Sequence, residues 1–176
     1  CSTIQGARLA GVTPAGNMPH PLNLVIGDTV TAMQAFDRHM PQEVPRVSLV
    51  DTFKDEAEEA LNVARSLREK LRGIRLDTPP ERGGVTPDLV KEVRARLDIA
   101  GFRHVEIMVS GGFTADRIRE FVESGAPVTS FGVGSYIAAA KPNPFESDIH
   151  EIDGRPLAKR GRIPAISANP RLDRVM

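Results

Sequence analysis

Several features that mark whole classes of protein are scarce or missing in this sequence of 176 residues. It contains one cysteine and no tryptophan, and aromatic residues make up only 5% of it. A single cysteine excludes an internal disulfide framework and any zinc site built from clustered cysteines. The chain must therefore depend on a hydrophobic core, and 176 residues, 40% of them hydrophobic, are enough to form one.

The sequence also lacks an excess charge of either sign and any long apolar run. Lys plus Arg and Asp plus Glu number 23 each, whereas proteins that bind duplex nucleic acid usually carry a clustered basic surplus. No apolar run approaches the roughly 18 residues of a membrane span, and residues 1–6 do not resemble a secretory signal. We therefore expect a cytoplasmic protein that binds neither nucleic acid nor membrane. Because no initiator methionine is present, we expect either a cut chain or part of a longer polypeptide.

What the sequence does contain is a repeated unit, in which a short β-rich run is followed by a polar or glycine residue and an amphipathic stretch. The predicted strands span residues 47–50, 74–76, 105–109 and 128–131. The predicted helices span residues 54–71, 86–99, 115–123 and 136–140. Gly73 is predicted to stop the first of them, and Thr86 is predicted to cap the second, with Pro87 as its first residue. Strands that alternate with helices imply parallel pairing. A complete (β/α)₈ barrel needs about 250 residues, so the predicted fold is α/β, either an open sheet or an incomplete barrel.

The two ends of the chain are less regular. Residues 12–15 are predicted to end a further strand, and residues 22–40 to form a helix. Near the other end, Asp153-Gly154 separates two β-like runs and predicts a hairpin with a tight primed turn. A tail rich in proline and arginine follows it. We predict that residues 1–145 form the barrel portion, and that residues 146–176 form a hairpin and an extended tail that pack on an adjoining domain.

Charged candidate site residues lie where the predicted strands end, which is where sheets of this kind bind ligands. They are His20, Asp51, Arg75 and Asp77. Arg75 and Asp77 are two positions apart on a strand, so their side chains point to the same side. A carboxylate there can accept both hydroxyls of a ribose or hold magnesium through water, and the arginine fork can bind a phosphate or a carboxylate. The alternative is an Arg75–Asp77 ion pair that fills the barrel interior.

Simpler explanations also exist for two of these residues. His20 lies in a proline-flanked extended turn, where a histidine is often only a surface residue. Asp51 could cap the helix that follows it. The glutamates at positions 56, 58 and 59 are predicted to form the solvated face of that helix.

Two glycine-rich turns end the last two predicted strands, Ser110-Gly111-Gly112 and Gly132-Val133-Gly134. A phosphate needs several backbone N–H groups aimed at one point, and glycine both clears the approach and permits the unusual dihedral angles of such a turn. Successive turns of this kind form the recurring phosphate site of barrels. The alternative is that they are only tight strand-to-helix turns.

Five motifs in order resemble the nicotinate phosphoribosyltransferases and, more distantly, the nicotinamide and quinolinate enzymes of the same barrel. They are GNMPH, LVDTF, GIRLDTP, VSGGFTADRI and FGVGSYI, and the tail motifs DGRPLAKRGR and NPRL are similar to the end of that family. The resemblance implies a type II phosphoribosyltransferase barrel, incomplete in this chain, with a C-terminal hairpin and tail.

The resemblance also implies an activity, the transfer of 5-phosphoribosyl from its pyrophosphate to nicotinate in NAD biosynthesis. ATP hydrolysis drives this reaction in the family, and Mg²⁺ is the expected cofactor. His20, which matches the family's phosphorylated histidine, and Asp77 are the expected catalytic residues. The expected substrate-binding residues are Asp51, Arg75 and Thr78, and the expected 5-phosphate-binding residues are Ser110, Gly111, Gly112, Gly132, Val133 and Gly134.

The sequence departs from the family by lacking the N-terminal domain and the first barrel strands, which are expected to grip the pyridine carboxylate. We therefore expect a homodimer or an association with the missing N-terminal half. Two other functions are consistent with the motifs. One is quinolinate phosphoribosyltransferase, which decarboxylates its substrate and needs no ATP, although IRLDTP resembles the nicotinate enzymes better. The other is a non-catalytic phosphoribosyl-binding module that needs an N-terminal partner.

Overall fold

A computed structural model of the chain describes residues 4–14, 16–139 and 148–165. The chain divides into two compact units, Cys1–Ala140 and Lys141–Met176. The predicted boundary between residues 145 and 146 lies outside the described residues.

The first unit is organised around a four-stranded parallel sheet. In chain order its elements are α1 (Ile4–Leu9), α2 (His20–Ile26), α3 (Thr29–His39), β1 (Arg46–Leu49), α4 (Glu56–Leu67), β2 (Leu71–Leu76), α5 (Pro87–Ile99), β3 (Glu106–Val109), α6 (Ala115–Glu123), β4 (Ser130–Phe131) and α7 (Gly134–Ala138). The strand order in the sheet is β1-β2-β3-β4, the same as in the chain. One helix connects each strand to the next, which confirms the predicted α/β class.

The two faces of the sheet differ in chemistry. One face carries apolar side chains, including Ile74, Leu76, Ile107 and Val109, none of them more than 1% exposed. They belong to one hydrophobic cluster with the buried sides of α4, α5 and α6. On the other face, one row of paired residues is Leu49, Arg75, Met108 and Ser130. This second face is more polar, and it leads to the residues that follow the strands.

The helix predicted for residues 54–71 is shorter in the structure. Asp55 caps it by accepting hydrogen bonds from the N–H groups of Ala57 and Glu58, and it ends at Leu67 because Arg68 adopts a positive φ of 51°. Gly73, predicted to stop this helix, instead lies within β2. A β-carbon at Gly73 would lie 3.0 Å from the carbonyl oxygen of Glu106, so glycine permits the close approach of β3.

The N-terminal predictions require correction. The single helix predicted for residues 22–40 is two helices, because Gly27 adopts a φ of 87° and Asp28 caps α3 through the N–H of Thr31 at 2.7 Å. Residues 12–14 form no strand, and α1 precedes them. Ala15 lies outside the described residues.

Several local predictions are confirmed. α5 begins at Pro87 after the cap Thr86, whose hydroxyl accepts from the N–H of Leu89 at 3.2 Å, and α6 has the predicted bounds. β4 is shorter than predicted. α7 starts two residues earlier, at Gly134, and ends at Ala138.

The second unit contains the predicted hairpin, formed by β5 (Glu151–Ile152) and β6 (Arg155–Pro156). Asp153 and Gly154 both have positive φ, 50° and 75°, as a primed turn requires. The motif NPRL at residues 169–172 lies outside the described residues. Among the helices that the structure describes, none is long and apolar enough to cross a membrane.

Candidate active site

Four of the predicted site residues stand in one line across the sheet. Each follows, by two positions, a member of the paired row described above. Because side chains alternate along a strand, residues two positions apart leave the sheet on the same face. The line consists of Asp51, Asp77, Ser110 and Gly132.

His20 comes to this line from outside the sheet, on the first turn of α2. Its Nε2 lies 3.2 and 3.3 Å from the two carboxylate oxygens of Asp51, and its Nδ1 lies 4.0 Å from Oδ2 of Asp77. The His20 side chain is 37% exposed and that of Asp77 is 25% exposed, whereas that of Asp51 is 0% exposed. A ligand can therefore reach His20 and Asp77, while Asp51 lies behind the histidine.

Asp51 acts on His20 rather than on the helix that follows it. Burial raises the pKa of the Asp51 carboxyl, the charge of Asp77 raises it further, and the nearby His20 opposes both effects. Helix α4 is capped by Asp55, so the alternative function of Asp51 as a helix cap is wrong. A carboxylate bonded to one imidazole nitrogen fixes the ring orientation and the tautomer, and leaves the other nitrogen available for chemistry.

Arg75 and Asp77 have separate partners. The Arg75 guanidinium donates to the carbonyl of Met18 at 2.6 Å and lies 3.5 Å from the Ser110 hydroxyl. That hydroxyl donates to Oδ1 of Asp77 at 2.9 Å. Within the described part of the chain, Arg75 forms no ion pair with Asp77. Arg75 instead fastens the segment that precedes His20 against the end of the sheet.

The two glycine-rich turns are built for close approach. Gly111 and Gly112 have φ values of 99° and 67°, which favour glycine strongly. A β-carbon at Gly132 would lie 2.8 Å from that of Ser110, so the second turn packs directly against the first. Among the described residues, no acceptor is bonded to the N–H groups of Gly111, Gly112, Val133 or Gly134. These donors are free to bind an anion.

Arg117 holds the first of these turns in place, and sequence reasoning missed it. From α6 its guanidinium donates to the carbonyl of Gly111 at 3.1 Å and to that of Val85 at 2.7 Å. It also lies 4.6 Å from the ring centroid of Phe113. The sequence signals were its place in the motif VSGGFTADRI and its position in the first turn of the helix that follows the glycines.

Thr78 is turned away from the other site residues. Its hydroxyl donates to Glu56 at 2.8 Å, and the residue is 4% exposed. Glu56 and Glu59 are 2% and 3% exposed, so the prediction that they form a solvated helix face is wrong, and of that set only Glu58 is exposed. The signal was available, because both fall at helical spacing on the stripe that carries Ala60 and Val63.

Carboxylates are the side chains at this site that could contact a magnesium ion. No group of three or more His, Cys, Asp or Glu side chains in the described part of the chain could hold a metal. Magnesium commonly keeps several waters and binds through one or two carboxylates together with substrate phosphates. Asp77 is the accessible carboxylate that could serve in this way.

In comparisons with known proteins, the chain is similar to phosphoribosyltransferases. Residues 7–146 match the family described as "Quinolinate phosphoribosyl transferase, C-terminal domain". A nicotinate phosphoribosyltransferase of Mycobacterium tuberculosis is 32% identical over 145 residues, covering 81% of this chain and 30% of that protein. The nicotinate phosphoribosyltransferase of Bacillus subtilis is 24% identical over 153 residues, covering 86% of this chain and 30% of that protein. The chain thus spans about a third of the length of these relatives.

Two solved structures are also similar. The crystal structure of nicotinate-nucleotide pyrophosphorylase from Pyrococcus furiosus matches with a TM-score of 0.74 and 44% identity, over 94% of this chain and 42% of that one. Human nicotinic acid phosphoribosyltransferase matches with a TM-score of 0.55 and 19% identity, over 75% of this chain and 37% of that one. These findings confirm the predicted resemblance and the incomplete type II barrel.

Proposed function

The chain belongs to the family of the quinolinate phosphoribosyltransferase C-terminal domain, and on that premise we propose that it carries the phosphoribosyl site of a nicotinate phosphoribosyltransferase. The proposed reaction moves 5-phosphoribosyl from its pyrophosphate donor to the ring nitrogen of nicotinate, with ATP as co-substrate. Nicotinate mononucleotide and pyrophosphate are the products. The observation that carries the proposal is that His20 lies between Asp51 and Asp77 while its side chain is 37% exposed.

His20 is the proposed acceptor of a phosphoryl group from ATP. With the Nε2 proton donated to Asp51, Nδ1 keeps its lone pair and can form a nitrogen–phosphorus bond as the bond to ADP breaks. Because solvent does not reach the Asp51 side chain, that carboxylate can hold the ring without competing for the phosphoryl group. The charge it supplies also stabilises the phosphorylated imidazole.

Asp77 is the proposed contact of the ribose. As pyrophosphate departs, positive charge develops on the ribosyl ring, and a fixed carboxylate stabilises that charge without reorganising. The hydrogen bond from Ser110 at 2.9 Å keeps Asp77 in place. When bound, magnesium would neutralise charge that accumulates on the pyrophosphate.

The glycine-rich turns are the proposed site of the 5-phosphate. The first glycine-rich turn lies next to Asp77, since a β-carbon at Gly111 would be 3.2 Å from Oδ1 of that residue. A phosphate bound there would therefore leave its ribose beside Asp77. Arg117 stiffens the turn and adds positive charge close to it.

The test compares binding of nicotinate mononucleotide to the protein and to its Asp77→Ala variant by calorimetry. Loss of hydrogen bonds to a charged group costs about 1.5–3 kcal/mol, so we expect affinity to fall about 10- to 100-fold. Asp116→Ala, at a residue whose side chain is 88% exposed on α6, is the matched control and should bind normally. Equal affinity of the protein and the Asp77→Ala variant would overturn the assignment.

Turnover gives the second test. His20→Ala and Asp77→Ala should each abolish formation of nicotinate mononucleotide by the complete polypeptide, which we propose to be a homodimer or an assembly with an N-terminal half that recognises the pyridine ring. Unchanged turnover in both variants would reject the assigned catalytic residues. Tight mononucleotide binding with no turnover would favour a non-catalytic module.

A second candidate is supported by the 44% identity to nicotinate-nucleotide pyrophosphorylase. A quinolinate phosphoribosyltransferase would release carbon dioxide from quinolinate and would need no ATP. Incubation with each pyridine acid, with and without ATP, separates the two activities. ATP-stimulated product from nicotinate supports the first, and carbon dioxide from quinolinate supports the second.

A further inference from the structure

Helix α4 carries a buried carboxylate that the chemistry proposed above does not use. Glu59 is 3% exposed, and a charge is seldom buried unless several hydrogen bonds compensate for its lost hydration. A helix needs no such group at this position, because the cap of α4 is already Asp55. The partners of Glu59 therefore indicate its function.

The Glu59 carboxylate binds the turn that follows Asp51. Its Oε1 accepts from the N–H groups of Phe53 at 2.7 Å and Lys54 at 3.0 Å, and its Oε2 accepts from the N–H of Thr52 at 3.3 Å. All three donors precede α4. One side chain thus determines the path of the backbone immediately after Asp51.

The same carboxylate connects this turn to the helices that bring in His20. Oε2 of Glu59 also accepts from the hydroxyl of Thr29, the first residue of α3, at 3.0 Å. On α2, the fully buried Asn23 donates to the hydroxyl of Thr52 at 2.9 Å. Asn23 follows His20 by three residues and so lies on the same side of its helix.

We propose that Glu59 is a positioning residue, which sets the distance between His20 and Asp51 by joining the turn after β1 to the α2–α3 segment. This proposal concerns the geometry of the His20–Asp51 pair. It rests on the proposed function only for the reaction in which that pair takes part. A purely stabilising residue at this buried place would more simply be apolar, since replacing buried charges by well-packed hydrophobic groups is often neutral or stabilising.

The test reads His20 directly by NMR of the imidazole nitrogens, in the protein without any ligand. The chain has four histidines, so the other three serve as internal references. In Glu59→Gln one carboxylate oxygen is replaced by an amide NH2, which cannot accept from the N–H or hydroxyl donors that oxygen now binds. We expect the His20 ring-nitrogen shifts to change and its Nε2 proton to exchange with water about tenfold faster, equivalent to about 1.4 kcal/mol of lost contact.

Two control variants separate positioning from stability. Glu58→Gln alters the exposed carboxylate that precedes Glu59 on α4. Val63→Ala removes buried volume from α4 without removing a hydrogen bond. Val63→Ala should lower the free energy of unfolding measured in urea, yet neither control should move the His20 signals. Unchanged His20 signals in Glu59→Gln, or equal changes in Val63→Ala, would overturn the proposal.

If Glu59→Gln does not fold, Thr29→Val gives a milder test, because it removes only the hydroxyl that reaches Oε2. A shift of the His20 signals in Thr29→Val supports the proposal, and none overturns it. Mononucleotide binding is measured on the same samples. Should the unaltered protein fail to bind, the proposed function fails, while the NMR result still decides the positioning function of Glu59.

Discussion

A methyl group at Gly132 should disturb the join between the two glycine-rich turns. In Gly132→Ala the new β-carbon would lie 2.8 Å from the Ser110 β-carbon, whereas carbon atoms in contact normally lie about 3.5–4.0 Å apart. Neither side can yield easily. Ser110 is held by its N–H bond to Leu76 at 2.9 Å, and Gly132 by its own N–H bond to Val109 at 2.7 Å.

The expected cost follows from this overlap. Overpacking of a well-packed region costs about 1–3 kcal/mol, and for a domain of this size each kcal/mol lowers the melting temperature by about 2–4 °C. We therefore expect Gly132→Ala to melt about 2–12 °C below the unaltered protein. Displacement of Ser110 would also loosen its hydrogen bond to Asp77, so binding of nicotinate mononucleotide should weaken.

The assay is urea unfolding together with a thermal melt, with Gly134→Ala as the matched control for stability. A β-carbon at Gly134 would meet no atom within 4 Å, and alanine is favoured over glycine in a helix by about 0.5–1 kcal/mol. The control should therefore be neutral or slightly more stable. Equal stability of Gly132→Ala and the unaltered protein would refute the close packing of the two turns.

Two further predictions concern Asp51 and Arg117. Burial raises the pKa of Asp51 above 3.8 in the folded protein, so the unfolded chain loses this proton at lower pH, and stability falls as pH rises between the two values. Asp51→Asn removes this carboxyl group, so between about pH 3 and 7 its free energy of unfolding should fall less than that of the unaltered protein. Profiles of unfolding free energy against pH that run parallel in the two proteins would contradict this. Arg117→Lys removes the paired hydrogen bonds of the guanidinium to Gly111 and Val85. The free energy of unfolding should fall by about 1–3 kcal/mol, and the backbone amides of the first glycine-rich turn should exchange faster with water. In the control Arg119→Lys, at an exposed position of the same helix, the free energy of unfolding should change by no more than about 0.5 kcal/mol. Equal losses of stability in both variants would show that Arg117 does not hold the turn.

The line of site residues could be predicted from the sequence because local signals define it. Asp51 and Asp77 each end an apolar run, and the two glycine-rich turns each end the next ones, so parallel pairing alone brings them to one edge. Thr86-Pro87 and Asp153-Gly154 were equally reliable, since capping and primed turns depend on neighbouring residues only.

Other features depend on contacts between distant residues and could not be read locally. Glu59 lies in a run of glutamates of the kind that usually forms a solvated helix face. It is nevertheless buried, and Thr29, 30 residues earlier, donates a hydrogen bond to its carboxylate. The end of α4 was missed because Arg68 takes a positive φ, a backbone state that an arginine seldom adopts. His20 is brought to Asp51 by a helix whose buried face holds Asn23, and no local pattern indicates that contact.

The agreement between strand order in the sheet and strand order in the chain has a consequence for biosynthesis. No strand of this sheet has to wait for a later segment to insert beside it, so each strand–helix unit can dock on the preceding one as the chain leaves the ribosome. Pairing between consecutive strands also keeps the loops that must close shorter than pairing between distant strands would. During translation the histidine and its two carboxylates can therefore be assembled before either glycine-rich turn has been synthesised.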